Sequence, residues 1–144
     1  MKADIISCSG GLFYCIDTKR FLLLHRTNPR TPVWGLVGGT GTQGETPWNT
    51  LQREIEEEIG PLPEIKKTIP LETFVSNDER FLFHTYLLVV SKEFIPHLNE
   101  EHDGYAWVSF AKWPKPLHNG LKNTLQNKAN LQKLKTVFEV IDLL

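Results

Sequence analysis

The chain has 144 residues, 40% hydrophobic and 23% charged, which suits one domain with a buried core and excludes disordered, collagen-like and disulfide-scaffold classes. Its formal charge of -1 excludes a global basic field for bulk nucleic-acid binding, so phosphate must be held by local groups or by metal. No run approaches the roughly 18 apolar residues of a membrane span. The first residues, MKADIISCSGGLFYCI, have no long apolar core after their lysine, and Cys8 and Cys15 suit reduced, buried thiols. A cytoplasmic protein is expected.

In chain order, the apolar runs Ile5–Ile6, Leu12–Ile16 and Phe21–Leu24, the last two separated by a DTKR turn, predict a hairpin. The prolines of TNPRTP (27–32) mark a loop, and VWGLVGG (33–39) predicts a short strand running into glycine. A helix is expected from Pro47 to Ile59, with Thr46 as N-cap, proline in its first position and Gly60 just past its end. The proline-bearing stretch 61–76 leads to a strand, and FLFHTYLLVV (81–90), rich in aromatic and β-branched residues, predicts a central one. A loop over 92–104, a strand over 105–110 and a loop over 113–120 follow. Apolar residues Leu121, Leu125, Leu131, Leu134, Val137, Phe138 and Ile141 predict one amphipathic helix over 121–144. Strands around an internal helix, with a second helix closing the chain, predict an α/β fold with a mixed sheet covered by helices, all in one domain over 1–144.

The helix at 47–59 carries the chemical signal. At about 100° per residue, Trp48, Leu51, Ile55 and Ile59 form one stripe about 80° wide that faces the sheet. With Glu54 set at zero, Glu58 falls near +40°, Glu57 near -60° and Glu56 almost opposite, by the same roughly 100° step. Like charges three and four residues apart cost about 0.2–0.5 kcal/mol each, and only Arg53 offers local relief. Two readings stay open: a solvated acidic face, or a site for a hard divalent cation that clustered carboxylates attract. The glycines upstream, at 38, 39, 41 and 44, allow backbone to approach a ligand closely.

Gly39, five residues, Glu45, seven residues, then Arg53-Glu54-Ile55-Glu56-Glu57-Glu58-Ile59-Gly60 resembles the Nudix box, the signature of hydrolases that cleave a nucleoside diphosphate linked to another moiety. Pro61 stands where the family has an aliphatic residue, and Val37 where many members have proline; neither touches a charged position. The resemblance implies a Nudix-type α/β/α sandwich with a mixed β-sheet and a divalent metal, Mg²⁺ or Mn²⁺. By position, Glu54, Glu57 and Glu58 resemble the metal-binding carboxylates, with Glu57 also a candidate catalytic group. A backbone carbonyl of Gly38 or Gly39 is a further ligand, and Arg53 and Glu45 resemble the pair that orients the glutamates.

Hydrolysis also needs a proton acceptor. LNEEHDGYAWVSF (98–110) resembles a loop-to-strand segment of the family, which makes Glu101 a metal ligand or base and His102 the second candidate; the alternative is a polar surface loop. Arg26 and Arg30 are candidates for phosphate contact, against a reading as solvated loop arginines. Trp34, Phe83, Tyr86 and Trp113 are candidates for stacking on a base or for ordinary core packing. The expected function is Mg-dependent pyrophosphohydrolysis of a (deoxy)nucleoside triphosphate or nucleotide sugar. Alternatives are removal of pyrophosphate from RNA 5′ ends and nucleotide sensing without turnover. The expected partner is a small nucleotide, with no extended nucleic-acid surface and no membrane, on a monomer or homodimer.

Overall fold

In the computed structural model, which describes residues 4–27, 30–61 and 63–142, strand β1 (Ile6–Cys15) runs unbroken through Gly10 and Gly11. The two runs read separately from sequence are one strand because backbone pairing, not side chains, carries the middle. Gly10 lies opposite Thr85 on one side and Gly38 on the other. The remaining elements are β2 (Arg20–Arg26), β3 (Trp34–Gly35), β4 (Val37–Thr40), α1 (Pro47–Ile59), β5 (Lys67–Val75), β6 (Phe81–Val90), β7 (His102–Ser109), α2 (Asn119–Gln126) and α3 (Lys128–Asp142).

The strands form one mixed sheet in the order β3-β2-β1-β6-β5, with β4 also paired to β1 and β7 to β2. β1 and β6 run parallel and the other pairs are antiparallel. β6 is interior, as its composition predicts, although β1 holds the middle of the order. Along one edge β1 divides its pairing: Tyr14 and Cys15 meet β2, while Cys8 through Gly11 meet β4. That division brings the glycines of β4 into the sheet.

Alternation along the strands sorts the core into two layers. Phe13, Cys15, Leu22, Leu24, Leu88 and Val90 pack with Leu51, Ile55 and Ile59 of α1. Leu12, Tyr14, Phe21, Leu23, Leu87 and Val89 pack with Leu121 and Leu125 of α2 and Leu134 and Ile141 of α3. The molecule is therefore an α/β/α sandwich. Leu51 and Ile55 are fully buried, each worth about 1.5–3 kcal/mol of transfer from water. Thr46 Oγ1 caps α1 by accepting from Asn49 N at 3.1 Å, and Gly60 beyond its end has φ 89°.

Three further boundaries differ from the sequence reading. Residues 33–39 make two short strands rather than one. β7 starts at His102, so that residue and Asp103 lie on a strand, paired to β2. The final helix is two helices, broken at Asn127, whose extended backbone (φ -71°, ψ 124°) ends α2 while its Oδ1 accepts from Asn130 N at 3.0 Å at the start of α3. Leu143 and Leu144 lie outside the described residues. Among the described residues, no helix is long and apolar enough to cross a membrane, and Cys8 and Cys15 are free, half-buried and buried respectively.

Candidate active site

A cavity of about 920 Å³ is walled by β1, β4, β5 and β6, by α2, and by the turn into β7. Glu54 and Glu58 of α1 reach its wall beside the glycines of β4. Gly38 N donates to Glu58 Oε2 at 3.1 Å. A Cβ at Gly39 would stand 2.5 Å from Glu54 Oε1, so a side chain there would make that carboxylate shift. Gly38 has φ 155° and lies so close to Ser9 O that a side chain there would overlap the neighbouring strand.

Arg53 organises the approach. Its Nε and Nη2 grip Glu45 Oε2 and Oε1 at 2.9 and 3.0 Å, Nη1 donates to Glu54 Oε1 at 3.0 Å, and Nη2 also reaches Thr40 O at 3.0 Å. Glu45 Oε1 further accepts from Thr42 N at 2.7 Å and Thr50 Oγ1 at 3.1 Å. The guanidinium, with the Thr42 N–H, holds the Glu45 carboxyl well below the usual carboxylate range, and Glu45 in turn raises the Arg53 guanidinium. This fork fixes Glu54 by a charge-assisted bond and ties it to the β4 backbone. Glu57 sits 3.4 Å from Arg53 Nη1 with a side chain 54% exposed, outside the cavity lining, and Glu56 is exposed.

Glu58 is only 3% exposed. Burial pushes its carboxyl well above the usual range; the Gly38 N–H opposes this, and the charges of Glu54 and Glu101 push it further up. Glu54 is within hydrogen-bonding reach of it. Glu101 lines the same cavity from the other side. Asn99 joins that turn to α1: its Nδ2 donates to Glu57 O at 2.8 Å and its Oδ1 accepts from Glu101 N at 2.9 Å. The turn is also tied to β2, because Thr27 N donates to Glu101 O at 3.0 Å.

His102 lines the cavity, is 6% exposed, and its Nδ1 is buried with no hydrogen-bond partner among the described residues. Burial, assisted by the nearby Arg26 charge, lowers its pKa to about 4, so the imidazole is neutral near pH 7. Arg26 is on the cavity wall; Arg30 is exposed and outside it. Among the aromatic candidates, Phe83 lines the cavity, whereas Trp113 packs on Phe21 (5.4 Å), Tyr86 on Trp48 (5.7 Å) and Trp34 on His25 (4.9 Å). Sequence reasoning missed Glu72, Thr124 and His118, all on the cavity wall. Nothing in the local sequence around them marks a site; strand pairing and the break between α2 and α3 bring them there.

Among the described residues, no three His, Cys, Asp or Glu side chains already close on one point as a metal cage. The donor set nevertheless fits a hard divalent cation: Glu54 and Glu58 converge with Glu101 facing them, and their mutual repulsion is what a cation would relieve. An incomplete oxygen set of this kind leaves coordination positions for waters and phosphate oxygens.

The model for the NUDIX domain matches residues 11–128. A dihydroneopterin triphosphate diphosphatase of Haemophilus influenzae is 34% identical, over 70% of this chain and 72% of that protein. Among solved structures, a MutT Nudix hydrolase from Burkholderia pseudomallei superposes with a TM-score of 0.70 at 23% identity, covering 88% of this chain and 99% of that one. A C. elegans Ap4A hydrolase superposes with a TM-score of 0.69 at 20% identity, covering 92% and 98%. With the family match across most of its length, the glycine-and-glutamate segment inside that match, and the shared sandwich, the chain belongs to the Nudix family of pyrophosphohydrolases.

Proposed function

We propose that this chain hydrolyses the phosphoanhydride of a small nucleoside-triphosphate-like substrate with the help of a divalent cation. The observation that carries the reading is the buried Glu58 carboxylate, set against Glu54 and Glu101 on the wall of one cavity. The relative named as a dihydroneopterin triphosphate diphosphatase supports a triphosphate, rather than a nucleotide sugar, as the substrate type.

Glu54, Glu58 and Glu101 would hold the cation, with the carbonyl of Gly38 or Gly39 as a further oxygen donor. When bound, a divalent cation neutralises phosphate charge and lowers the pKa of water. Arg53, anchored on Glu45, keeps Glu54 in its rotamer. Glu57, which makes only a weak 3.4 Å contact with Arg53, would join the ligand set if it turned towards the cavity. Arg26 sits on the cavity wall, where its guanidinium fork can donate to phosphate oxygens, and Arg30 supplies positive charge from the loop outside. Glu101, on the cavity wall, serves as proton acceptor as the alternative to its ligand role, and His102, whose pKa burial lowers to about 4, lines the cavity as a neutral imidazole.

The test is pyrophosphate and phosphate release from a panel of nucleoside triphosphates, dihydroneopterin triphosphate and nucleotide sugars, with and without Mg²⁺. Mg²⁺-dependent release from triphosphates is expected. Binding of nucleotides with no turnover under any metal would replace hydrolysis by a sensing role.

A further inference from the structure

Glu72 has no part in the chemistry above, yet it lines the same cavity. It reaches that position through an irregularity in β5. Pro70 pairs with Tyr86 and Glu72 with Thr85, which leaves Leu71 as an extra residue in the strand. Regular alternation would point Leu71 and Glu72 to opposite faces. Instead Leu71 is buried in the layer under α2 and α3, and Glu72 meets the same two helices. Thr124 Oγ1 donates to Glu72 Oε1 at 2.8 Å and Asn130 Nδ2 to Oε2 at 2.7 Å.

These two bonds orient the carboxylate without using it up. Each oxygen accepts two hydrogen bonds, so one site on each remains. Among the described residues, no lysine, arginine or histidine forms an ion pair with Glu72. A partly buried carboxylate with two parallel acceptor sites fits a planar pair of adjacent N–H donors.

Its distance from the glutamates of α1 fits one ligand. Glu72, Thr85, Gly10 and Gly38 form one row across β5, β6, β1 and β4. Three strand spacings place the Glu72 backbone about 14 Å from Gly38, whose N–H holds Glu58. That span suits a nucleotide with its phosphates at Glu58 and its ring system at Glu72. The next row, Phe74, Phe83, Cys8 and Thr40, runs parallel to it, and the rings of Phe74 and Phe83 flank the Glu72 end of the cavity as an apolar surface for a flat heterocycle.

We infer that Glu72 selects substrates whose ring carries a ring N–H next to an exocyclic amino group, the edge shared by guanine and by 2-amino-4-oxo pterins. Adenine and cytosine present a ring nitrogen acceptor at that position, and uracil flanks its N–H with carbonyls, so each sets a lone pair against the carboxylate. This inference rests on the triphosphate reading for the placement of the phosphates, but it concerns binding and is tested apart from turnover.

The test is calorimetric binding of the α,β-methylene analogues of GTP, ITP and ATP, and of dihydroneopterin, to wild type and Glu72→Gln. The wild type should bind the guanine analogue about 10- to 100-fold tighter than the adenine analogue, with the inosine analogue, which lacks only the amino group, about tenfold weaker than guanine. Glu72→Gln should bring guanine and dihydroneopterin binding down by a similar factor and leave the adenine analogue within about twofold. The dihydroneopterin arm separates the two sources of the same edge. Equal binding of guanine and inosine analogues to the wild type overturns the inference without any variant. So does a Glu72→Gln protein that weakens every ligand in parallel, which would make Glu72 a brace for α2 and α3 alone. Binding selectivity that depends on Glu72, together with no hydrolysis in the panel above, would remove the hydrolase reading and keep this one.

Discussion

The close approach of Gly39 to Glu54 shows how a single missing side chain organises the site. A methyl group there would stand 2.5 Å from the carboxylate and force it off the position that Arg53 holds. Gly39→Ala should therefore cost about 1–3 kcal/mol in stability, as overpacking does, and lower hydrolysis by about tenfold or more, measured by steady-state kinetics and thermal melting. Glu58 makes a second prediction. Its carboxyl is raised in the folded protein, so the native state binds more protons than the unfolded chain above the ordinary glutamate value of about 4.5. Stability without metal should fall as pH rises from there toward the raised value. A cation must displace the proton, so the melting-temperature gain on adding Mg²⁺ should grow between about pH 6 and about pH 8. A gain independent of pH over that range would place the ion elsewhere. The helical wheel drew Glu54, Glu57 and Glu58 together; the folded chain adds what a wheel omits, namely that Glu57 stays exposed outside the cavity, 3.4 Å from Arg53, and that Glu101 arrives from a distant turn.

At the scale of the element, α1 was legible because its signals are local. Thr46, Pro47 and Gly60 mark its ends, and Leu51, Ile55 and Ile59 mark the face it buries. Thr46→Ala should cost about 1 kcal/mol and lower the melting temperature by about 2–4 °C. Leu51→Ala should cost about 2–5 kcal/mol, because the surrounding core cannot close over the cavity left behind. Both follow from chemical denaturation. The last helix was legible only in part: its apolar spacing runs straight through Asn127, but Asn127 uses its side chain to start α3 and leaves its backbone extended. Periodicity reports which residues face the core and does not report where the axis turns.

For the whole molecule, a mixed sheet covered by helices followed from the strands around an internal helix, because that order leaves apolar faces to cover, and the sandwich itself from the resemblance to the Nudix box. Long-range pairing was not legible. The row from Glu72 to Gly38 exists only because β1 and β6 pair in parallel and β5 carries an extra residue at Leu71, and neither fact has a signature along the chain. The same limit applies to His102, whose burial depends on β7 pairing with β2. The central claim is that the cavity hydrolyses phosphoanhydrides through the carboxylates on its wall, Glu54, Glu58 and Glu101, and not through the acidity of α1 as a whole. The most direct measurement is the Mg²⁺-dependent rate of pyrophosphate release by Glu58→Gln beside Glu56→Gln, each with its melting temperature recorded. Glu58→Gln should remain folded and lose hydrolysis by about a thousandfold, while Glu56→Gln, exposed on the same helix, stays within about twofold of wild type. Equal losses in the two variants, or full activity in Glu58→Gln, would contradict the account.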